Sequence, residues 1–215
     1  MSTAHETATL LPDPENLRIR VRALAVLDAT ISDDPQFCRY SYSTARGPGE
    51  EVALMDNGSG DDFSVHFTPA GVLIRGFDHE SPMSPYTTDD EQVWPGVVDD
   101  VPASLAPLLA GPAFHDEDID APRVTVCLWR ETGDTVWHTG SAIDFPPGSD
   151  PDGSGFLFRL LTDRSPETVR ADFQDYYERP VPLDAVRHVL AGRPLTPAIA
   201  AALNPNALPD DALPH

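Results

Sequence analysis

The residue types best suited to chemistry in this chain gather around acidic glycine turns. Asp61 and Asp62 follow the turn Asn57-Gly58-Ser59-Gly60, and Asp78-His79-Glu80 follow the apolar run Val72–Phe77. Carboxylates joined by one imidazole make a donor set for a divalent cation. A cation held by Asp61, Asp62, Asp78, His79 and Glu80 would polarise a phosphoryl or carbonyl group and activate water. The competing reading is a solvated sheet end, with Glu80 and Ser81 capping a turn. Neither reading assigns a catalytic residue, and the cation is the one cofactor candidate.

The segment Phe77–Tyr86 concentrates varied polar groups: Asp78, His79, Glu80, Ser81, Ser84 and Tyr86. It leaves the end of a strand, so a rigid sheet positions its start. Pro82 and Pro85 stiffen it and lower the entropy cost of holding those side chains. Loops on rigid scaffolds carry function more often than the elements they join, which marks these six residues as a candidate binding surface. The structural alternative is that Met83 and Tyr86 cover a sheet edge while the prolines prevent edge pairing.

Other constellations are weaker. Asp150-Pro151-Asp152-Gly153-Ser154-Gly155 begins like a calcium loop but lacks the later oxygen ligands and the bidentate Glu. Cys127 and His138 are expected as cross-strand neighbours in a hairpin, a pairing that can activate a thiolate. Their Leu and Trp neighbours favour a half-buried, unreactive cysteine instead. The run His115-Asp116-Glu117-Asp118-Ile119-Asp120 accompanies Asp89-Asp90-Glu91 and Asp99-Asp100, as solvated surface or as a docking face. Phosphate-binding glycine loops, GxSxG, HExxH and CxxC are missing.

Charge narrows the partners. The chain of 215 residues has 35 Asp and Glu against 14 basic residues, all Arg, for a net −21. Residues 49–122 hold 16 acids and one basic residue, Arg75, and so carry −15. Such a surface repels nucleic acid and anionic membranes and attracts cations or basic proteins. No apolar run approaches the roughly 20 residues of a membrane span. The first residues lack a basic and then apolar signal pattern, so a cytoplasmic location is expected. Two cysteines make no disulfide framework.

These side chains need elements to position them. Asp13-Pro14 starts a helix running to Ala29, with Leu17, Val21, Leu24 and Asp28 on one face, although Arg18, Arg20 and Arg22 alternate as in a strand. Strands are expected at Phe37–Thr44, Glu51–Met55, Phe63–Phe67, Val72–Phe77, Val124–Arg130, Thr135–Thr139 and Gly155–Leu161. Symmetric closure of the two central turns sets Val65 opposite both Val52 and Ile74, Phe63 opposite Leu54, and Asp61 opposite Asp78. A short helical turn is expected over Val101–Ala110. Helices follow from Ser165-Pro166, over Leu183–Ala191 and from Thr196-Pro197. The expected fold is one α+β domain over 1–215: a mainly antiparallel sheet of about six strands, helices on one face and a C-terminal helical segment. Residues 1–12 and 206–215 are expected to be loosely ordered.

Read together, several segments carry a resemblance: Met55–Asp62, Gly76–Tyr86, Trp94-Pro95-Gly96, Asp150–Ser154, Asp175-Tyr176-Tyr177-Glu178, Pro194-Leu195-Thr196 and Leu203-Asn204-Pro205. Through them the chain resembles a group of bacterial cytoplasmic proteins with no assigned activity. More loosely, its acidity and size resemble immunity proteins of toxin systems. The expected function is a non-enzymatic acidic binding protein engaging a basic protein partner; the alternative is the metal-dependent hydrolase above.

Overall fold

A computed structural model describes residues 2–88, 91–110, 115–116 and 121–206. Helix α1 spans Ala4–Leu10 and α2 spans Pro14–Ile31. Asp13 caps α2 by accepting from Asn16 N at 3.0 Å, with Pro14 in the first turn. Leu17, Val21, Leu24 and Asp28 are all buried, so helix periodicity prevails over the arginine alternation.

Strands β1 (Tyr40–Gly47), β2 (Glu50–Asp56), β3 (Asp62–Thr68) and β4 (Gly71–Phe77) form an antiparallel meander. The short strands β5 (His115–Asp116) and β6 (Ala121–Pro122) pair separately. Strands β7 (Val126–Glu131) and β8 (His138–Thr139) complete a six-stranded sheet in the order β1-β2-β3-β4-β7-β8. The chain ends in helices α3 (Ser154–Leu157), α4 (Arg159–Thr162), α5 (Pro166–Tyr177), α6 (Leu183–Leu190) and α7 (Pro197–Leu203). The fold is therefore α+β, with the expected C-terminal helical segment.

Successive residues of a strand face opposite ways, and each face has its own cover. Phe63, Val65, Phe67, Val72, Ile74 and Leu128 pack with α2, α4, α5 and α6 in the larger core. Leu73, Cys127 and Trp129 point the other way, onto Met83, Val97, Leu105 and Leu109. Segments 78–88 and 91–110, mostly turns with a 3₁₀ helix over Ala106–Ala110, thus form the second layer in place of α-helices.

The β3–β4 pairing matches expectation, with Val65 opposite Ile74 and Asp62 opposite Phe77. The β2–β3 pairing is one residue off: Val65 faces Ala53, and Val52 faces His66. Asp61 is the cause. It closes a five-residue loop in which Asn57 N donates to Asp61 O at 3.1 Å and Asp61 N donates to Asn57 Oδ1 at 3.2 Å. Ala53 and Met55, not Val52 and Leu54, therefore face the larger core.

Four other expectations are corrected. The first strand begins at Tyr40, because Asp34 caps a 3₁₀ turn over Pro35–Phe37. Residues 4–10 are helical and anchored rather than loose: Ala4 N donates to Asp152 at 2.6 Å and Trp137 Nε1 donates to Pro12 O at 2.7 Å. The segment Gly155–Leu161 is helical, not a strand. Asp150 accepts from Gly155 N and Phe156 N, and Asp152 accepts from Ser154 N, which starts a helix that buries Leu157, Phe158, Leu160 and Leu161. His138 lies opposite Trp129 rather than Cys127.

Candidate functional site

Two glycine turns frame the end of the central hairpin. One is the Asn57–Asp61 loop between β2 and β3. The other is Asp150–Ser154, before α3. Gly60 has φ +105°, and a side chain there would press on the His79 ring at 3.2 Å. Gly153 has φ +73°, and a Cβ there would fall 2.4 Å from Cβ of Asp78. Both glycines combine a left-handed backbone with a close approach, which only glycine meets without strain. They let the turns close on Asp78 and His79 from either side.

Asp61 is the centre of this arrangement and is only 6 % exposed. One carboxylate oxygen accepts from His79 N at 3.0 Å and contacts His79 Nδ1 at 2.7 Å. The other accepts from Asn57 Nδ2 at 2.7 Å. Burial pushes the Asp61 carboxyl up, but the hydrogen bonds from His79 and Asn57 outweigh it, so its pKa lies below the ordinary value. The same bond to Asp61 raises the His79 pKa above the ordinary imidazole value. Asp78 is half-buried and accepts from Glu80 N at 3.0 Å. Burial raises its pKa, with Asp61 and Asp150 adding to the rise.

Asp61, Asp78 and His79 present donor atoms within 4.8 Å of one another, so three of the five proposed cation ligands come together. Asp62 does not join them. As the first residue of β3 it points to the opposite side, where it pairs with Arg75 and with Arg123 at 3.2 Å. Glu80 is solvated, its carboxylate 3.9 Å from His79 Nε2.

Of the six candidate binding residues, Asp78, His79, Glu80 and Tyr86 reach the surface, whereas Ser81 and Ser84 are buried. Ser81 Oγ donates to Pro151 O at 2.7 Å and accepts from Met83 N at 3.0 Å. Ser84 N donates to Ser81 O at 2.9 Å, and Thr87 N donates to Ser84 O at 2.8 Å. These serines build consecutive turns and drop out of the binding surface. Tyr86 sets its ring edge against Phe77.

The cysteine reading is also corrected. Cys127 is fully buried, and burial pushes its thiol up to about 12 despite the nearby Arg75. His138 is exposed and lies 3.2 Å from Asp134. Of the acidic runs, Asp89-Asp90 and Glu117–Asp120 lie outside the described residues. Asp99 and Asp100 are exposed, but they brace loops by accepting from Gly96 N and Ser141 N.

Arg75 is a residue whose role the sequence concealed. It lies mid-strand, 2 % exposed, between Asp62 and the Arg123 carbonyl at 2.5 Å. Its place inside an apolar strand was the available signal, because a buried arginine needs a partner. Set against known proteins, the chain matches no protein-family model, no curated protein and no solved structure.

Proposed function

We propose that this is a non-enzymatic binding protein, immunity-like and cytoplasmic, whose acidic middle third docks a basic protein partner. The observation that carries the reading is the burial of Arg75. It is the one basic residue of residues 49–122, and its charge is taken up internally by Asp62. The described surface of that third is left with Glu50, Asp56, Glu80, Glu91, Asp99 and Asp100 exposed. Arginines collect instead on the helical side, in α2 and from α4 to α6. Charge distributed in this way favours encounter with a cationic partner at the acidic third. No helix among the described residues is long and apolar enough to cross a membrane.

The test compares two triple variants of equal charge. Asp56→Asn, Glu80→Gln and Glu91→Gln neutralise the acidic third. Glu15→Gln, Asp175→Asn and Glu178→Gln neutralise exposed acids on the helical side. The first set abolishes salt-sensitive capture of a basic protein from native lysate and the second preserves it. Equal losses would refute docking through this surface.

A divalent cation at Asp61, Asp78 and His79 is the second reading, favoured by their 4.8 Å clustering. In a hydrolase the cation would polarise the substrate and activate water. Against this, both Asp61 oxygens already serve protein donors, and Asp62 serves two arginines. Elemental analysis and thermal shifts with Mg, Mn, Zn and Ca ions decide it. Stoichiometric metal, or stabilisation lost in Asp78→Asn, would displace the docking reading.

A further inference from the structure

The helical side carries a cleft of opposite character. Its volume is about 360 Å³, within the size range of small-molecule pockets, and it lies between α2, the α4–α5 connection and α6. Pro12, Ile19 and Leu190 line it with apolar surface. Three arginines also line it, Arg20, Arg164 and Arg187, in a protein with 14 arginines and a net charge of −21.

The three are not equally satisfied. Arg187 pairs with Glu167 at 2.6 Å and with Asp184 at 3.4 Å. Arg20 is 8 % exposed, yet among the described residues no carboxylate pairs with it. Its Nε donates to Leu160 O at 2.7 Å and its Nη2 to Asp163 O at 2.6 Å, both backbone carbonyls. The Asp163 carboxylate is turned away to Ser165 N and Thr168 Oγ1 at the start of α5. Arg164 is exposed and forms no ion pair among the described residues. Burial, with the neighbouring Arg164 charge contributing, holds the Arg20 pKa below its ordinary value against the pull of Asp163.

A buried guanidinium held by backbone carbonyls and by no carboxylate contact keeps most of its charge for an anion that enters beside it. We propose that this cleft binds a small phosphate-bearing molecule, with Arg20 and Arg164 holding the phosphate and Ile19 and Leu190 packing its apolar part. Two guanidinium groups that make no carboxylate contact among the described residues suit a phosphate monoester, which carries about −1.5 to −2 charge at neutral pH. Arg164 offers its planar donor fork to phosphate oxygens, whereas Arg20, with Nε and Nη2 engaged, contributes Nη1 and its charge. The cleft is distinct from the acidic docking surface. The net charge of −21 disfavours a polyanion there.

The experiment is calorimetric titration of the full chain with inorganic phosphate and with glycerol phosphate, at fixed ionic strength in chloride. Acetate and a short oligonucleotide serve as comparison ligands. Arg164→Glu tests the site on an exposed side chain, so folding is preserved. Arg22→Glu makes the same charge change on an exposed α2 position outside the cleft. Saturable phosphate binding, weakened by about tenfold or more in Arg164→Glu and within about twofold of wild type in Arg22→Glu, is the expected result. The proposal is overturned by absence of saturable binding, by equal weakening in both variants, or by acetate binding as tightly as phosphate. An oligonucleotide that outcompetes both phosphates would overturn the small-ligand assignment.

Discussion

Replacing Asp61 by Ala is the sharpest perturbation of the site. The carboxylate satisfies the backbone N–H of His79 and the side-chain amide of Asn57 and also binds the His79 ring. Its removal leaves the His79 peptide N–H without its partner in a partly buried position. A buried donor left unpaired costs about 1–3 kcal/mol. The Asn57 amide lies near solvent and recovers most of its loss through water. The net cost is about 2 kcal/mol, which for a chain of this length lowers Tm by about 4–8 °C. Asp61→Asn keeps one acceptor and costs less. Urea unfolding supplies the free energy, and NMR titration of the His79 ring reads the same contact independently: its pKa falls toward the ordinary imidazole value in Asp61→Ala. A variant within about 0.5 kcal/mol of wild type, with an unshifted His79 titration, would refute the assigned role of Asp61.

The Asp61–His79 pair also sets a pH dependence. The raised His79 pKa gives a contribution fully present below the unfolded imidazole value of about 6.5 and lost as pH rises through the folded value. The lowered Asp61 pKa gives one present above about 4 and lost as pH falls through its folded value. Urea midpoints at pH 5.5 and 8.5 should therefore differ more in wild type than in His79→Gln, and an identical pH response in the two proteins would count against the pair. In the folded protein a thiol reagent should modify half-buried Cys38 well before Cys127, whose thiol is fully buried; simultaneous modification would contradict that burial. Met83→Ala removes a fully buried side chain from the second core and should cost about 2–4 kcal/mol, whereas Tyr86→Ala, at a side chain 46 % exposed, should cost less than about 1 kcal/mol. Equal costs in denaturant titrations would mean that the layer over Leu73 and Trp129 is packed differently.

Local chemistry was readable where it acts alone. The Thr68–Gly71 turn sets the β3–β4 register, and Asp13, Ser165 and Thr196 mark their helix starts because each caps the turn that follows it. What escaped depended on side chains that consume backbone groups at a distance. Asp61 looks like a strand residue until its bonds to Asn57 add it to the loop and shift β2 by one position. Asp150 and Asp152 look like turn formers, yet their carboxylates start α3 and anchor the N-terminal helix. Gly155–Leu161 is a short apolar run, and such a run has no periodicity that separates a strand from a helix. At the candidate site, Asp61, Asp78 and His79 were legible from the hairpin geometry. Asp62 adjoins the cluster in sequence, but alternation along β3 turns it to Arg75. The arginine cleft draws residues from three remote segments, so no local pattern announces it.

The most direct test of the docking account is the association rate of the captured basic partner as a function of salt, for wild type and for the Asp56→Asn, Glu80→Gln, Glu91→Gln variant. The account predicts a rate that falls steeply with ionic strength in wild type and a much shallower dependence in the variant, with dissociation rates nearly unchanged. A wild-type rate insensitive to salt, or the same slope in both proteins, would contradict it.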